Sequence, residues 1–514
     1  MNKFNLKIAG VFAVLLLLII PSLLPLFDSG LFVSDDGAWM IIRLTAFYDS
    51  IRDGQIPARF IERLNFGYGY PVANFLYPGY LYLGSIIHIV GFGFIDTVKI
   101  LFGISLVFSG ISSFIWLRRL FGNVDSLLGA VVYVYSPYHL YDIYKRGSLG
   151  EALSISILPL VLYGIEKGST LIISLSVFSI LLFHNTLAIF FLPLIPIYAL
   201  FRKNFKRSLP AFILGGLMSS FFTIPALLEL RYTKFSQIPI SNPLEYFADL
   251  SLIGYSTTFI LLSVIILSII IYRKGFRNIP YLSLIIFFSV VLLVSIILSS
   301  HLSKFIWENI NASFIQFPYR FLSLLLVSVS FLSAFMSYIL FSKAKFVIVS
   351  LTLLIIGIFS YQYLSNVEFS NFSDEYYSTN DATTTIHDEY MPIWVKNNPT
   401  TRPKEKVEVI SGNAVINNLR EKSNKIEFDT SVSSDSKIRV NTIYWPEWKL
   451  YVEGEERDIV YDNEKGVIEF ELKQYDERVY LSFQDDLLRT LSNTLSIAAA
   501  LILIYYIARP VIKI

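Results

Sequence analysis

Two acidic residues stand side by side in FVSDDGAWMIIRL, Asp35 and Asp36, and three arginines follow them at Arg43, Arg52 and Arg59. An ionised carboxylate can take a proton from a hydroxyl, and its oxygens suit a hard cation such as Mg2+ or Mn2+. A guanidinium presents a planar fork that matches phosphate oxygens. Together these are the groups needed to move a sugar off a lipid phosphate. The acceptor hydroxyl must lose a proton, and the departing phosphate must be met by positive charge. A nearby carboxylate also favours an oxocarbenium-like transition state. On that reading Asp35 and Asp36 serve as base and metal ligand, and Arg43 faces the phosphate. The same residues have plainer uses. DDG reads as a helix N-cap, with aspartate oxygens taking the free backbone N–H groups of a helix that begins near Ala38. Arg43 can run its stem along apolar surface to reach headgroups.

A second polar cluster lies in YDIYKRGSLGEAL, residues 141–153. Here Arg146 suits anion binding and Glu151 suits its orientation, or the two form an ordinary Arg–Glu pair in a turn. Gly147 and Gly150 allow the backbone to bend and approach a ligand. His184 and Asn185 close an apolar segment, where a histidine is either a ligand or a hydrogen-bonded packing residue. In QFPYRF, Arg320 contacts a phosphate or snorkels to the interface; beside an apolar face it is costly unless paired or solvated. Arg43, Arg146, Glu151, His184, Asn185 and Arg320 are thus the candidate substrate-binding residues, with Asp35 and Asp36 as candidate catalytic and metal-binding residues. His88, His139 and His301 have no metal-like spacing, and no HExxH, P-loop or GxSxG pattern occurs. Trp445 and Trp448 can stack sugars, but tryptophans in a strand belong more often to a core. Asn311 and Asn371 are sequons, meaningful only in a glycosylating host.

The elements that must carry these residues are mostly membrane helices. The chain of 514 residues is 54% hydrophobic and 16% charged, against roughly 25% charged in soluble domains. A net charge of +2 at pH 7 gives no case for nucleic acid, and the absence of cysteine excludes disulfides, thiolate metal sites and a cysteine nucleophile. A spanning helix needs about 20 apolar residues, which fits residues 8–27, 76–92, 98–117, 125–141, 150–166, 170–184, 186–201, 209–229, 251–272, 280–299, 319–341, 345–364 and 487–508. Residues 8–27 read as a retained first span, because Pro21 and Pro25 interrupt a long run and no small-x-small cleavage site follows. The basic runs RKNFKR (202–207) and RKGFR (273–277), Lys343 with Lys345, and the tail with Arg509 and Lys513 read as cytoplasmic. Thirteen crossings from a cytoplasmic start would put that basic tail outside, so one early segment, 76–92 or 125–141, does not cross. Residues 38–52 read as a helix lying along the interface, with Trp39, Ile42, Ala46 and Phe47 in one stripe. Residues 365–486 alternate apolar and polar (KVEVI, KIEFDTSV, KIRVNTIYW, WKLYVEG, GVIEFEL, RVYLSF) with turn residues between. The expected fold is an α-helical polytopic membrane protein of about 12–13 hydrophobic segments with a C-terminal extracytoplasmic β-rich domain. Its parts are 1–364, with an outer loop at 28–78, then 365–486, then a final span and cytoplasmic tail at 487–514.

The strings DDGAWMIIRL, DGQIPARF…NFGYGYPVANFLYPGYLYLG, SPYHLYDIYKRGSLGEAL…LPL, FHN and QFPYRF occur in that order. The chain thereby resembles the bacterial and archaeal membrane proteins labelled 6-pyruvoyl-tetrahydropterin synthase-related, although nothing in it looks like a soluble pterin synthase. WPEWKLYVEG with the late span is similar to the end of the YfhO family. Both groups are similar in plan to GT-C glycosyltransferases. The resemblance covers nearly the whole chain, most specifically 32–190. It implies an acidic motif in the first outer loop, matched by Asp35 and Asp36, and Met40 stands where many relatives carry a histidine. It implies a polyprenyl-phosphate-linked sugar as donor and a cell-surface glycan, lipid or protein as acceptor, in hexosyl or pentosyl transfer. A lipid-linked glycan transporter or flippase would instead show inverted repeats and charges near the bilayer midplane; no repeat is evident and the charges sit at span ends. A non-catalytic envelope scaffold would work through its β-rich domain and would tolerate loss of both aspartates.

Overall fold

Every expected apolar segment within the described residues is helical, but the helices differ in length. The computed structural model describes residues 3–238, 242–254, 279–310, 313–339 and 342–508. Among these, seven helices are long and apolar enough to cross a membrane: Ala9–Phe27, Phe94–Leu117, Leu149–Lys167, Leu282–Ser299, Pro318–Ile339, Lys345–Ser365 and Leu487–Ala508. The chain is a multi-pass membrane protein. Four further apolar helices are shorter, Gly79–Ile89, Asn123–Val134, Thr170–Phe183 and Asn185–Phe201. The segment expected at 209–229 is a pair, Phe205–Met218 and Ser220–Tyr232, bent by 66°. The expected span at 251–272, from residue 255 onward, and the run RKGFR lie outside the described residues, as do Asn311, Arg509 and Lys513.

The short helices have local causes. Pro137 cannot continue the helix Asn123–Val134 and instead opens a new turn, Pro137–Tyr141. His184 takes extended backbone (φ −159°, ψ 121°) between Thr170–Phe183 and Asn185–Phe201. The two segments suspected of not crossing, 76–92 and 125–141, are both among the short ones. Leu149–Lys167 and Pro318–Ile339 are the most enclosed of the long helices, whereas Ala9–Phe27 and Leu487–Ala508 are peripheral.

The strands fall between residues 407 and 483 and form one antiparallel sheet: β1 (Val407–Lys422), β2 (Lys425–Ile443), β3 (Trp448–Val452), β4 (Glu455–Arg457), β5 (Val467–Leu472) and β6 (Arg478–Phe483). The order is β1-β2-β6-β3-β4, with β5 also paired to β2. The alternation that marked these strands is the burial pattern of the sheet: Ile438, Val440, Leu450, Val452, Val479 and Leu481 are buried on one side. Trp445 and Trp448 are core residues too, at 0% and 2% exposure. The sheet seats on the 54–78 stretch. Ile443 N donates to Tyr68 O (2.7 Å), and Trp445 and Trp448 meet Phe75 and Phe60 edge-on. At a second contact Arg489 forks onto Glu229 (2.9 and 2.6 Å) and pairs with Glu447 at 3.2 Å, joining the β2–β3 turn to the bent helix pair and the last helix.

Candidate active site

The first polar cluster is stitched to the second through the backbone. Asp35 N donates to Lys145 O (3.0 Å) and Asp36 N to Arg146 O (2.7 Å). The approach depends on Gly147, at φ +67°, because a Cβ there would collide with the Ser34 hydroxyl and Gly37 N. Gly150 is needed in the same way against the Phe183 carbonyl and the Tyr77 ring. These two glycines admit neighbouring chain, not a ligand. Asp36 stands at the N-cap of helix Gly37–Arg52, but its side chain makes no capping bond. Its Oδ2 accepts from Arg146 Nη2 at 3.1 Å instead, a charge-assisted bond that outcompetes a neutral backbone donor.

Behind Arg146 lies Glu151, with 0% exposure. Its Oε1 accepts from Arg146 Nη1 (2.6 Å) and Arg320 Nε (2.8 Å), and its Oε2 accepts from the Tyr138 hydroxyl (2.9 Å). Arg320 Nη1 also donates to Ile315 O and Gln316 Oε1. Arg320 therefore does not snorkel; one buried carboxylate fixes two guanidinium groups side by side, and the Phe317 ring lies 4.8 and 4.7 Å from them. His184 Nε2 is 3.6 Å from the same carboxylate, while its Nδ1 accepts from Leu187 N and caps helix Asn185–Phe201. Asn185 Nδ2 donates to Phe75 O at 2.7 Å. Asp142, fully buried, is 3.6 Å from Arg146 with neither oxygen hydrogen-bonded. Burial and the neighbouring Glu151 hold its pKa well above the ordinary carboxylate range.

These side chains converge on a cavity of about 500 Å³. Asp36, Arg43, Arg146 and Arg320 line it together, with His184 and Asn185. Asp35 is exposed and is not part of its lining. Arg59 is tied instead to Phe221 O and Asn493, and Arg52 is exposed. The helix Gly37–Arg52 is enclosed by protein and does not present the open polar face expected of it. Met40, Ile41, Leu44 and Phe47, which span its faces, are all buried, because the 374–390 stretch covers the side a membrane surface would have left open. Arg43 is consequently buried, and its Nη2 donates to the Thr384 carbonyl. That stretch also brings residues not anticipated from the sequence. Glu389 and Tyr390 line the cavity, Tyr390 stacking on Phe75 at 5.4 Å. Their signal was the acid in IHDEYMP, set among aromatic and proline residues before the first strand.

The donors present do not fit a resident divalent cation, which needs several oxygens converging on one point. Asp36 Oδ2 is paired with Arg146, Glu389 Oε2 accepts from His387 N, Glu151 is spent on two arginines and a tyrosine, and Asp35 lies off the cavity. Among the described residues no group of three or more His, Asp or Glu is placed to hold a metal. Positive charge in the cavity comes from guanidinium groups.

No protein-family model and no curated protein sequence matches the chain. Among solved structures it is similar to the arabinofuranosyltransferase AftD from mycobacteria, at a TM-score of 0.43 and 17% identity over 71% of this chain and 27% of that one. It is also similar to the apo oligosaccharyltransferase of Archaeoglobus fulgidus, at a TM-score of 0.40 and 13% identity over 77% of this chain and 62% of that one. The chain thus spans about a quarter of the first and under two thirds of the second.

Proposed function

We propose that the chain is a GT-C-type membrane glycosyltransferase that moves a hexosyl or pentosyl unit from a polyprenyl-phosphate-linked donor to a cell-surface glycan, lipid or protein. One observation carries this reading: a single cavity suits both halves of an amphipathic donor. Arg43, Arg146 and Arg320 form its charged end, and Ile189, Leu192, Ala226 and Leu227 form an apolar wall. Ile189 and Leu227 are also exposed on the outer surface, so the apolar wall runs out to where lipid would lie.

The guanidinium groups take the phosphate oxygens in a site where low dielectric strengthens the contact. Asp36 accepts the acceptor's proton through Oδ1, the oxygen not paired with Arg146. The hydroxyl oxygen bonds to the anomeric carbon as the bond from that carbon to the phosphate oxygen breaks. The electron pair leaves with the phosphate, whose added charge the arginines hold, and the proton remains on Asp36 until water removes it. Glu151 positions Arg146 and Arg320 without touching substrate. With both termini cytoplasmic, the 28–78 stretch and the β-rich 365–486 region lie outside, over the site.

The test is transfer in proteoliposomes, with radiolabelled polyprenyl-phosphate sugars and a membrane extract from the host as acceptor source. Asp36→Asn is expected to lose about 10²–10⁴-fold, the usual scale of general-base catalysis, and Asp35→Asn to lose at least about tenfold less than that. Absence of transfer from every donor by folded wild type, or loss confined to Asp35→Asn, counts against the reading.

A further inference from the structure

A second cavity, of about 680 Å³, lies beside the one just described and is within the ~300–1,000 Å³ range of ligand pockets. The two share a wall. Three chain stretches each give one residue to either side: Val33 and Asp36, Lys145 and Arg146, Tyr319 and Arg320. Phe317, which lines the first cavity, stacks on Tyr319 of the second with centroids 5.2 Å apart and planes at 5°. The wall is therefore about one side chain thick, and Asp36 and Arg146 are built into it.

The cavities differ in charge. The first holds three arginines against Asp36 and Glu389. The second holds Glu245, Asp249 and Glu368 against Lys145 alone. A phosphate entering the second would meet net repulsion, so that cavity does not suit the donor headgroup. Its other features suit a neutral, hydroxyl-rich molecule. Five tyrosines line it, and Tyr246, Tyr319 and Tyr363 offer flat apolar faces with polar edges. Gln362 and Asn366 add amides that both donate and accept, and the carboxylates accept from hydroxyls.

We infer that this second cavity binds the acceptor as a neutral saccharide and presents its hydroxyl to the wall that carries Asp36. The inference rests on the transferase reading above, but binding can be measured without turnover. Full-length protein in detergent is titrated with two probes: a panel of neutral gluco-, galacto-, manno- and arabino-oligosaccharides, followed by saturation-transfer NMR, and undecaprenyl phosphate, followed by native mass spectrometry. At least one oligosaccharide is expected to bind wild type. Tyr246→Ala with Tyr363→Ala, at partly open positions that tolerate truncation, weakens that binding by about tenfold or more and leaves undecaprenyl phosphate unchanged. Glu368→Gln weakens it by a smaller factor. Arg43→Gln does the reverse, weakening the lipid phosphate and sparing the saccharide. The inference is overturned if no oligosaccharide binds while undecaprenyl phosphate does, if the tyrosine variants weaken the lipid phosphate instead, or if Arg43→Gln abolishes saccharide binding. Saccharide binding lost with the tyrosines, without any binding of undecaprenyl phosphate, upholds this cavity and sinks the donor assignment of the other.

Discussion

Replacing Glu151 by Gln tests whether one buried carboxylate organises the donor cavity. The change keeps shape and removes one charge. Arg146 and Arg320 each lose a charge-assisted bond, at 2.6 and 2.8 Å, and Gln offers only one carbonyl oxygen for three donors. Removing one partner of a buried ion pair costs ~3–5 kcal/mol, because the remaining charge stays out of water. Asp36 still faces Arg146, and Arg320 keeps Ile315 O and Gln316, which favours the lower end of that range. At about 2.1 cal/mol/K per residue, unfolding 514 residues as a unit carries ~1 kcal/mol/K. The expected fall in Tm is therefore about 3–5 °C, read by fluorescence-detected size exclusion after heating. The double variant Glu151→Gln, Arg320→Gln should be less destabilised than the sum of the singles, because it strands Arg146 alone instead of two guanidinium groups. A Glu151→Gln protein that melts within about 1 °C of wild type, or singles that simply add, would refute the idea that this carboxylate carries both arginines.

Three further outcomes follow from particular contacts. Asp142→Asn should change Tm by no more than about 1 °C, because burial raises the pKa of that acid and so favours its neutral form; a loss as large as that of Glu151→Gln would refute this. Arg43→Gln should loosen the 384–390 stretch through loss of the Thr384 contact, seen as faster amide exchange there with the β-sheet unchanged. Glu447, in the buried contact with Arg489 and Glu229, has its pKa pushed up from 4.5 to about 7, mainly by burial. An acid whose folded pKa is raised contributes stability fully below about 4.5 and loses it as pH rises through about 7. Wild type should thus lose up to ~3 kcal/mol across that window, and Glu447→Gln should flatten the slope in a Tm series against pH.

Why some of this was legible and some not turns on range along the chain. An Asp, Glu or Arg inside an apolar sequence stands out by itself, because burying it is costly unless it is paired or solvated. Asp36, Arg146, Glu151 and Arg320 could therefore be singled out before their mutual distances were known. Which aspartate faces inward could not be read, because it depends on the register of 35–36 against 145–146, and on Gly147 allowing that contact. The stripe in 38–52 was real, but a helix needs neighbours to say whether its other faces see lipid headgroups or protein. Those neighbours lie at 374–390, hundreds of residues later, and they also bring Glu389. Strand alternation is a local signal, so the β pattern survived. The two strings KIEFDTSV and KIRVNTIYW nonetheless fall largely on one strand, because β1 runs alongside both and bulges in β2 take up the polar residues between. Helix length failed for the complementary reason. A run of apolar residues records what can enter lipid, whereas His184 and Pro137 end helices through backbone geometry that hydropathy does not register. The candidate site sits at such a break, where the short helices end against Glu151 and leave room for a cavity.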